Sequence, residues 1–180
     1  MNRSRLILTF WLGLLGFGVT TPVLAQTAGQ ANVTVLSGAT IIKQSDLVFG
    51  NLIAGPTAGS VTISTAGART VTGGTLASGG VFNAAEFAGS GARNQQVIIS
   101  FGAPTIVLTR AGGLQTMTVS SFTINPVVGS GLTQLGASGR HRINATTGLF
   151  TFSVGAKLAV GANQTGGNYS GTFTVTVNYQ

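Results

Sequence analysis

Apolar and polar residues alternate along this chain in short runs, and glycine interrupts each run before it grows long. The clearest run is the last one. Phe173, Val175, Val177 and Tyr179 fall on one face, and Thr172, Thr174, Thr176 and Asn178 on the other. A period of two places successive side chains on opposite faces of a strand, so such a run can bury one face of a sheet but not one face of a helix. The pattern recurs at Val61 and Ile63, at Met117 and Val119, at Phe122 and Ile124 after Ser121, and at Phe150, Phe152 and Val154. The 25 threonines and the frequent Val and Ile favour strands over helices, and the 28 glycines supply turns. Turn signals such as Gly55-Pro56, Gly73-Gly74, Gly112-Gly113 and Gly166-Gly167 separate many of the runs. Spacings of roughly 8–12 residues between turn signals are those of a sandwich or barrel. The sequence therefore predicts an all-β domain. Residues 84–88 fit a strand or a single helical turn, and residues 128–141, rich in Gly and Ser, read as the longest loop.

Residues 1–25 read as a secretory signal peptide. Arg3 and Arg5 form a basic start, residues 6–19 form an apolar stretch, and Val23-Leu24-Ala25 places small residues where a signal peptidase cuts. The apolar stretch is shorter than the roughly 20 residues needed to span a bilayer. Cleavage before Gln26 leaves 180 − 25 = 155 residues, a single domain able to build a core without staples. Residues 26–37 then form an N-terminal extension whose Ala31, Val33 and Val35 alternate with polar neighbours, and residues 38–180 form the domain. The expected route is export through the periplasm to the cell surface or the medium.

The charge inventory narrows the chemistry. Lys plus Arg number 9 and Asp plus Glu number 2 over the whole chain. After cleavage seven basic residues remain, scattered except for Arg140-His141-Arg142, and no aromatic residues interleave with them. Nucleic-acid binders concentrate basic charge on one face, so no nucleic-acid partner is expected. Asp46 and Glu86 are the only carboxylates, and an acid/base pair requires the fold to bring them together. His141, flanked by two arginines, reads as a loop residue rather than a metal ligand. No Gly-x-Ser-x-Gly elbow is present, and the glycine pairs lie between strands rather than at a strand-to-helix junction. With no cysteine there is neither a disulfide nor a thiolate site. The sequence thus predicts no enzyme, no cofactor and no metal.

The order of several motifs resembles a family of secreted bacterial proteins, domain of unknown function 4402. The matching pieces are Asp46-Leu47-Val48-Phe49-Gly50-Asn51-Leu52, Gly59-Ser60-Val61-Thr62-Ile63-Ser64, Phe87-Ala88-Gly89, and Met117-Thr118-Val119 with Phe122. Residues 154–158 and 163–180 match best, the latter including Thr165-Gly166-Gly167-Asn168-Tyr169. The family name carries no activity. The same C-terminal piece resembles a pilus subunit of the chaperone–usher type, which ends in an alternating strand with a penultimate Tyr and a Gly about fourteen residues from the end. Here these are Tyr179 and Gly167. The chain departs from many such subunits in lacking a disulfide.

That resemblance implies an immunoglobulin-like, pilin-like antiparallel β-sandwich that is incomplete. A strand from a periplasmic chaperone, and later from the next subunit, would complete it. The residues implicated in strand pairing are Ala31, Val33 and Val35 on the donor side and Gly167, Phe173, Val175, Val177 and Tyr179 on the acceptor side. The partners expected are further copies or related subunits, a chaperone and an usher, with the outer membrane reached only through such an assembly partner. Read from the residues alone, two alternatives stay open. Residues 26–37 also suit an ordinary first strand, and the domain also suits a complete, monomeric secreted adhesion or binding module. A small outer-membrane barrel would show the same alternation, but the aromatic girdles are missing.

Overall fold

A computed structural model of the chain describes residue 33 and residues 35–127, 129–136 and 139–180. The signal peptide expected at residues 1–25 and Ala31 lie outside the described residues. Twelve strands run β1 (Thr40–Ser45), β2 (Leu52–Ile63), β3 (Arg69–Ala77), β4 (Ala85–Ser90), β5 (Gln96–Phe101), β6 (Ile106–Arg110), β7 (Thr116–Pro126), β8 (Leu132–Gln134), β9 (Arg140–Ile143), β10 (Leu149–Val160), β11 (Tyr169–Ser170) and β12 (Val175–Tyr179). There is no helix among the described residues, and every strand pair is antiparallel. The all-β reading holds: an eight-stranded sheet faces a four-stranded one in the order β12-β5-β9-β8. Residues 84–88 contribute to strand β4. The stretch expected as one long loop instead contains β8 and the start of β9. Its polar, glycine-rich composition masks two short strands that bury only Leu132, His141 and Ile143.

Strand β10 organises the larger sheet. Phe150, Phe152, Val154, Ala156, Leu158 and Val160 alternate along it, and all six are buried. One edge pairs with β7 from Phe152 to Ala159. The other edge is shared: residues 149–154 pair with β4, and residues 156–160 pair with β2. Gly155 sits at the fork between them. A methyl group there would lie 2.4 Å from the Ile63 carbonyl oxygen and 2.8 Å from the Ser64 carbonyl carbon. Only glycine lets the backbone of β2 leave β10 so closely at that point.

The phase change between Met117/Val119 and Phe122/Ile124 is a β-bulge. From Gly155 to Lys157 β10 advances two residues while β7 advances three, from Thr123 to Ser120. Ser121 takes up the extra residue with φ of 53°, a conformation that few non-glycine residues adopt. The bulge keeps the apolar side chains on the inner face on both sides of the break.

Two clusters fill the interior. One joins Phe87, Phe150, Phe152 and Val154 of the large sheet to Val97, Ile99 and Ile143 of the small one. The other, Val61, Val119, Ala156, Leu158 and Val160, lies along the second half of β10. Aromatic rings bind the first cluster together. Phe87 stacks on Phe152 with centroids 5.3 Å apart, Phe101 meets Phe122 at 5.0 Å, and Phe173 contacts Phe122 at 5.4 Å and Phe87 at 6.2 Å. Such pairs contribute about 0.5–1.5 kcal/mol each beyond the area they bury.

His141 corrects the sequence reading, which placed it in a loop. It lies in β9 and is 2% exposed, while Arg140 and Arg142 on either side point to solvent. Its Nδ1 is 3.0 Å from the Gly139 carbonyl, and its Nε2 has no partner. Desolvation holds its pKa below the ordinary value, and the Gly139 hydrogen bond opposes this only in part.

Two outcomes follow from this packing. Because the folded-state pKa of His141 lies below the unfolded value of about 6.5, its neutral form stabilises the fold fully above that pH. This contribution declines as pH falls below about 6.5 toward the folded-state value. The melting temperature is therefore expected to fall between pH 7 and pH 5, with a shallower fall in His141→Leu; equal slopes in the two proteins would refute the assignment. Gly155→Ala forces a methyl into backbone and is expected to cost about 1–3 kcal/mol, the range for overpacked cores, as measured by denaturant unfolding.

Candidate strand-pairing site

Strand β12 ends the four-stranded sheet. One of its edges is fully used. Val175 stands opposite Phe101, Val177 opposite Ile99 and Tyr179 opposite Val97. The Gly102 amide donates to the Thr174 carbonyl at 3.0 Å and the Gln180 amide to the Gln96 carbonyl at 3.1 Å, so the ladder continues past both ends. The other edge has no strand partner among the described residues. An unpaired edge is normally protected by charge, proline or a bulge. Residues 173–179 contain no charged residue and no proline, and β12 pairs with β5 without a register shift.

The side chains of this strand face the core but do not finish it. Phe173, Val175, Val177 and Tyr179 are each half-buried and pack against the aromatic cluster. Phe173 precedes the strand proper, and its ring joins those of Phe122 and Phe87. The structure therefore groups four of the five acceptor-side residues named from sequence. The fifth, Gly167, lies elsewhere, in the loop before β11. A methyl group on it would meet the Arg110 side chain, with Nε at 2.6 Å. Its place is set by Arg110, whose Nε donates to the neighbouring Gly166 carbonyl at 2.8 Å.

On the donor side, Val33 and Val35 are 88% and 87% exposed, two apolar residues with almost no cover, and Leu36 is partly exposed. Sequence reasoning missed what fixes the near end of this segment. The Tyr179 hydroxyl accepts the Ala92 amide at 2.6 Å and donates to the Ser37 carbonyl at 2.7 Å. The last residue of the extension thus lies beside the C-terminal end of β12. The scarcity of tyrosine is the one sequence signal that pointed to this hydroxyl, since only Tyr169 and Tyr179 are present.

Asp46 and Glu86 do not form a buried acid/base pair. Asp46 follows Ser45, which stands opposite Glu86 in the β1–β4 ladder, so the two share one sheet margin. Both are exposed, and Asp46 is ion-paired with Lys43. No cluster of three metal-ligating side chains occurs among the described residues.

No curated protein and no solved structure matches the chain. A family described as Domain of unknown function (DUF4402) matches residues 39–179. This interval takes in all twelve strands, and it ends on Tyr179. The chain therefore belongs to the DUF4402 family.

Proposed function

We propose that the protein is an exported structural subunit of a bacterial surface filament of the fimbrial type, assembled by β-strand complementation. In this reading residues 26–37 of one copy add as a strand to the free edge of β12 in the next. Backbone hydrogen bonds supply affinity, and alternate side chains fitting the half-filled core supply register. Ala31, Val33 and Val35 are the donor side chains; Phe173, Val175, Val177 and Tyr179 line the acceptor. A chaperone in the periplasm covers the edge before assembly, and an usher passes the subunits outward.

The observation that carries this reading is the character of β12: a strand with one free edge, no charge, and side chains only half removed from water. Each Val or Phe taken fully out of water contributes on the order of 1.5–3 kcal/mol, so an incoming apolar strand has a large interaction to gain. The scarcity of ionisable groups fits an assembly in which backbone pairing is the chemistry. Its dispersed positive charge forms no patch that would recruit a polyanion instead.

The test uses the mature protein beginning at Gln26. At high concentration it is expected to form polymers visible by electron microscopy and by light scattering after size-exclusion chromatography. The double variant Val33→Asp/Val35→Asp is expected to lose them, because two carboxylates would enter an apolar core, while its melting temperature as a monomer stays within about 1 °C of the parent. These residues are exposed, and exposed substitutions shift stability by only about 0.5 kcal/mol. Polymers that persist in the double variant and after deletion of residues 26–36 would defeat the proposal. Tyr179→Phe removes both hydrogen bonds at the end of β12. It is expected to destabilise the monomer by about 1–3 kcal/mol, read by chemical denaturation.

A further inference from the structure

Strands β2, β10, β7, β6 and β11 follow one another edge to edge, and the loop after β10 returns to the first of them. The Asn163 amide donates to the Gly55 carbonyl of β2 at 2.8 Å. The Gln164 side-chain amide donates to the Thr116 carbonyl of β7 at 3.3 Å, and Arg110 of β6 holds the Gly166 carbonyl. The Tyr169 hydroxyl accepts from Gln164 at 2.9 Å and donates to the Thr165 carbonyl at 2.6 Å. These bonds strap the loop across the gap and turn an open, curled sheet into a ring. Inside the ring is a cavity of about 890 Å³. Pockets that hold small molecules run from about 300 to 1,000 Å³.

The strands supply a hydrocarbon side to this cavity, and the strap from Gln164 to Ser170 supplies a polar one. Leu52, Ile106, Leu108, Met117, Leu158 and Val160 line the first. The first four of these are only half-buried. Asp46 is the one charged residue on the lining, and Lys43 already pairs with it. The two buried polar atoms without partners among the described residues, Thr75 Oγ1 and His141 Nε2, belong to residues off the lining. The Tyr169 hydroxyl is already engaged in the strap. Among the described residues no buried side-chain polar atom of the wall therefore asks for a polar group on the ligand, and no cation on the wall would offset an anion. Asn51 and Asn168 lie on the lining and are exposed, so uncharged amides stand at the mouth.

We infer that this cavity is a binding site for an uncharged lipid, a monoacylglycerol or a molecule of that chemistry, with its alkyl chain among the Leu, Ile, Val and Met side chains and its hydroxyls at Asn51 and Asn168. The charge balance of the wall selects against a free fatty acid, whose carboxylate would meet Asp46 and find no cation. The site touches the acceptor of the filament reading only at Phe173, and it does not depend on that reading.

The test is fluorescence titration of the mature protein with the neutral probe N-phenyl-1-naphthylamine, followed by displacement. Saturable binding of one probe per chain is expected, with displacement by monopalmitoylglycerol and at least tenfold weaker displacement by palmitate. Met117→Trp, which fills the cavity, is expected to weaken probe binding at least tenfold, and Ala54→Phe elsewhere on the lining provides the same readout should the first variant lose its β-sheet circular dichroism. Binding is expected to be unchanged after deletion of residues 26–36. Absence of saturable binding, undiminished affinity in a folded filled variant, or equal displacement by palmitate would overturn the inference. Binding that first emerges after the deletion would also overturn it, since the cavity would then belong to the N-terminal segment.

Discussion

Everything in the larger sheet hangs on the two edges of β10. A twelve-residue strand normally has one neighbour on each side; this one has β7 along one edge and two strands, β4 and the last residues of β2, end to end along the other. Its six inward side chains are therefore shared by two cores. Those from Phe150 to Val154 are covered by the four-stranded sheet, and those from Ala156 to Val160 face the ring closed by the loop after β10. The fork at Gly155 makes the division possible. A side chain there would push β2 away and leave Val61 and Ile63 without their places.

This division explains why the domain is a sandwich at one end and a half-barrel at the other. The small sheet is only four short strands wide and reaches one cluster. The remaining concave surface curls on itself, as strongly twisted antiparallel sheets do. The strap of Asn163, Gln164 and Tyr169 then fixes the curl with hydrogen bonds instead of a further strand. Phe173 stands where the two regimes meet: its ring belongs to the aromatic chain and its side chain also lines the ring's interior.

Much of this was legible in the residues. The alternation at Phe150, Phe152 and Val154 marks a strand face, which the structure continues through Leu158 and Val160, and the change of phase after Val119 is where the structure has its bulge. The C-terminal alternation placed Phe173, Val175, Val177 and Tyr179 on the core face correctly. Pairing was less legible, because strand neighbours here are far apart in sequence: Ala85 and Ile63 share one edge of β10, and nothing local to either says so. His141 was misread because its arginine neighbours dominate a short window; in a strand, alternate residues face opposite ways, so two exposed arginines are what leave the residue between them inside. Gly167 was singled out by its distance from the end, but the fold gives it to Arg110. The strap and the cavity it closes had no sequence signal, since glutamine and asparagine in a glycine-rich loop look the same whether or not their amides are engaged.

The Tyr179 hydroxyl joins the Ala92 amide and the Ser37 carbonyl at one point. The carboxyl end of the domain and the place where the N-terminal segment departs are thus one corner of the molecule, not opposite poles. A purification handle, fluorophore or fusion partner joined after Gln180 would crowd Ser37, and probes attached at Ser37 and Gln180 would report on a single neighbourhood. Any display of foreign sequence on this scaffold is better placed away from that corner, for instance in the turn between β6 and β7 at Leu114, where the chain is open to water.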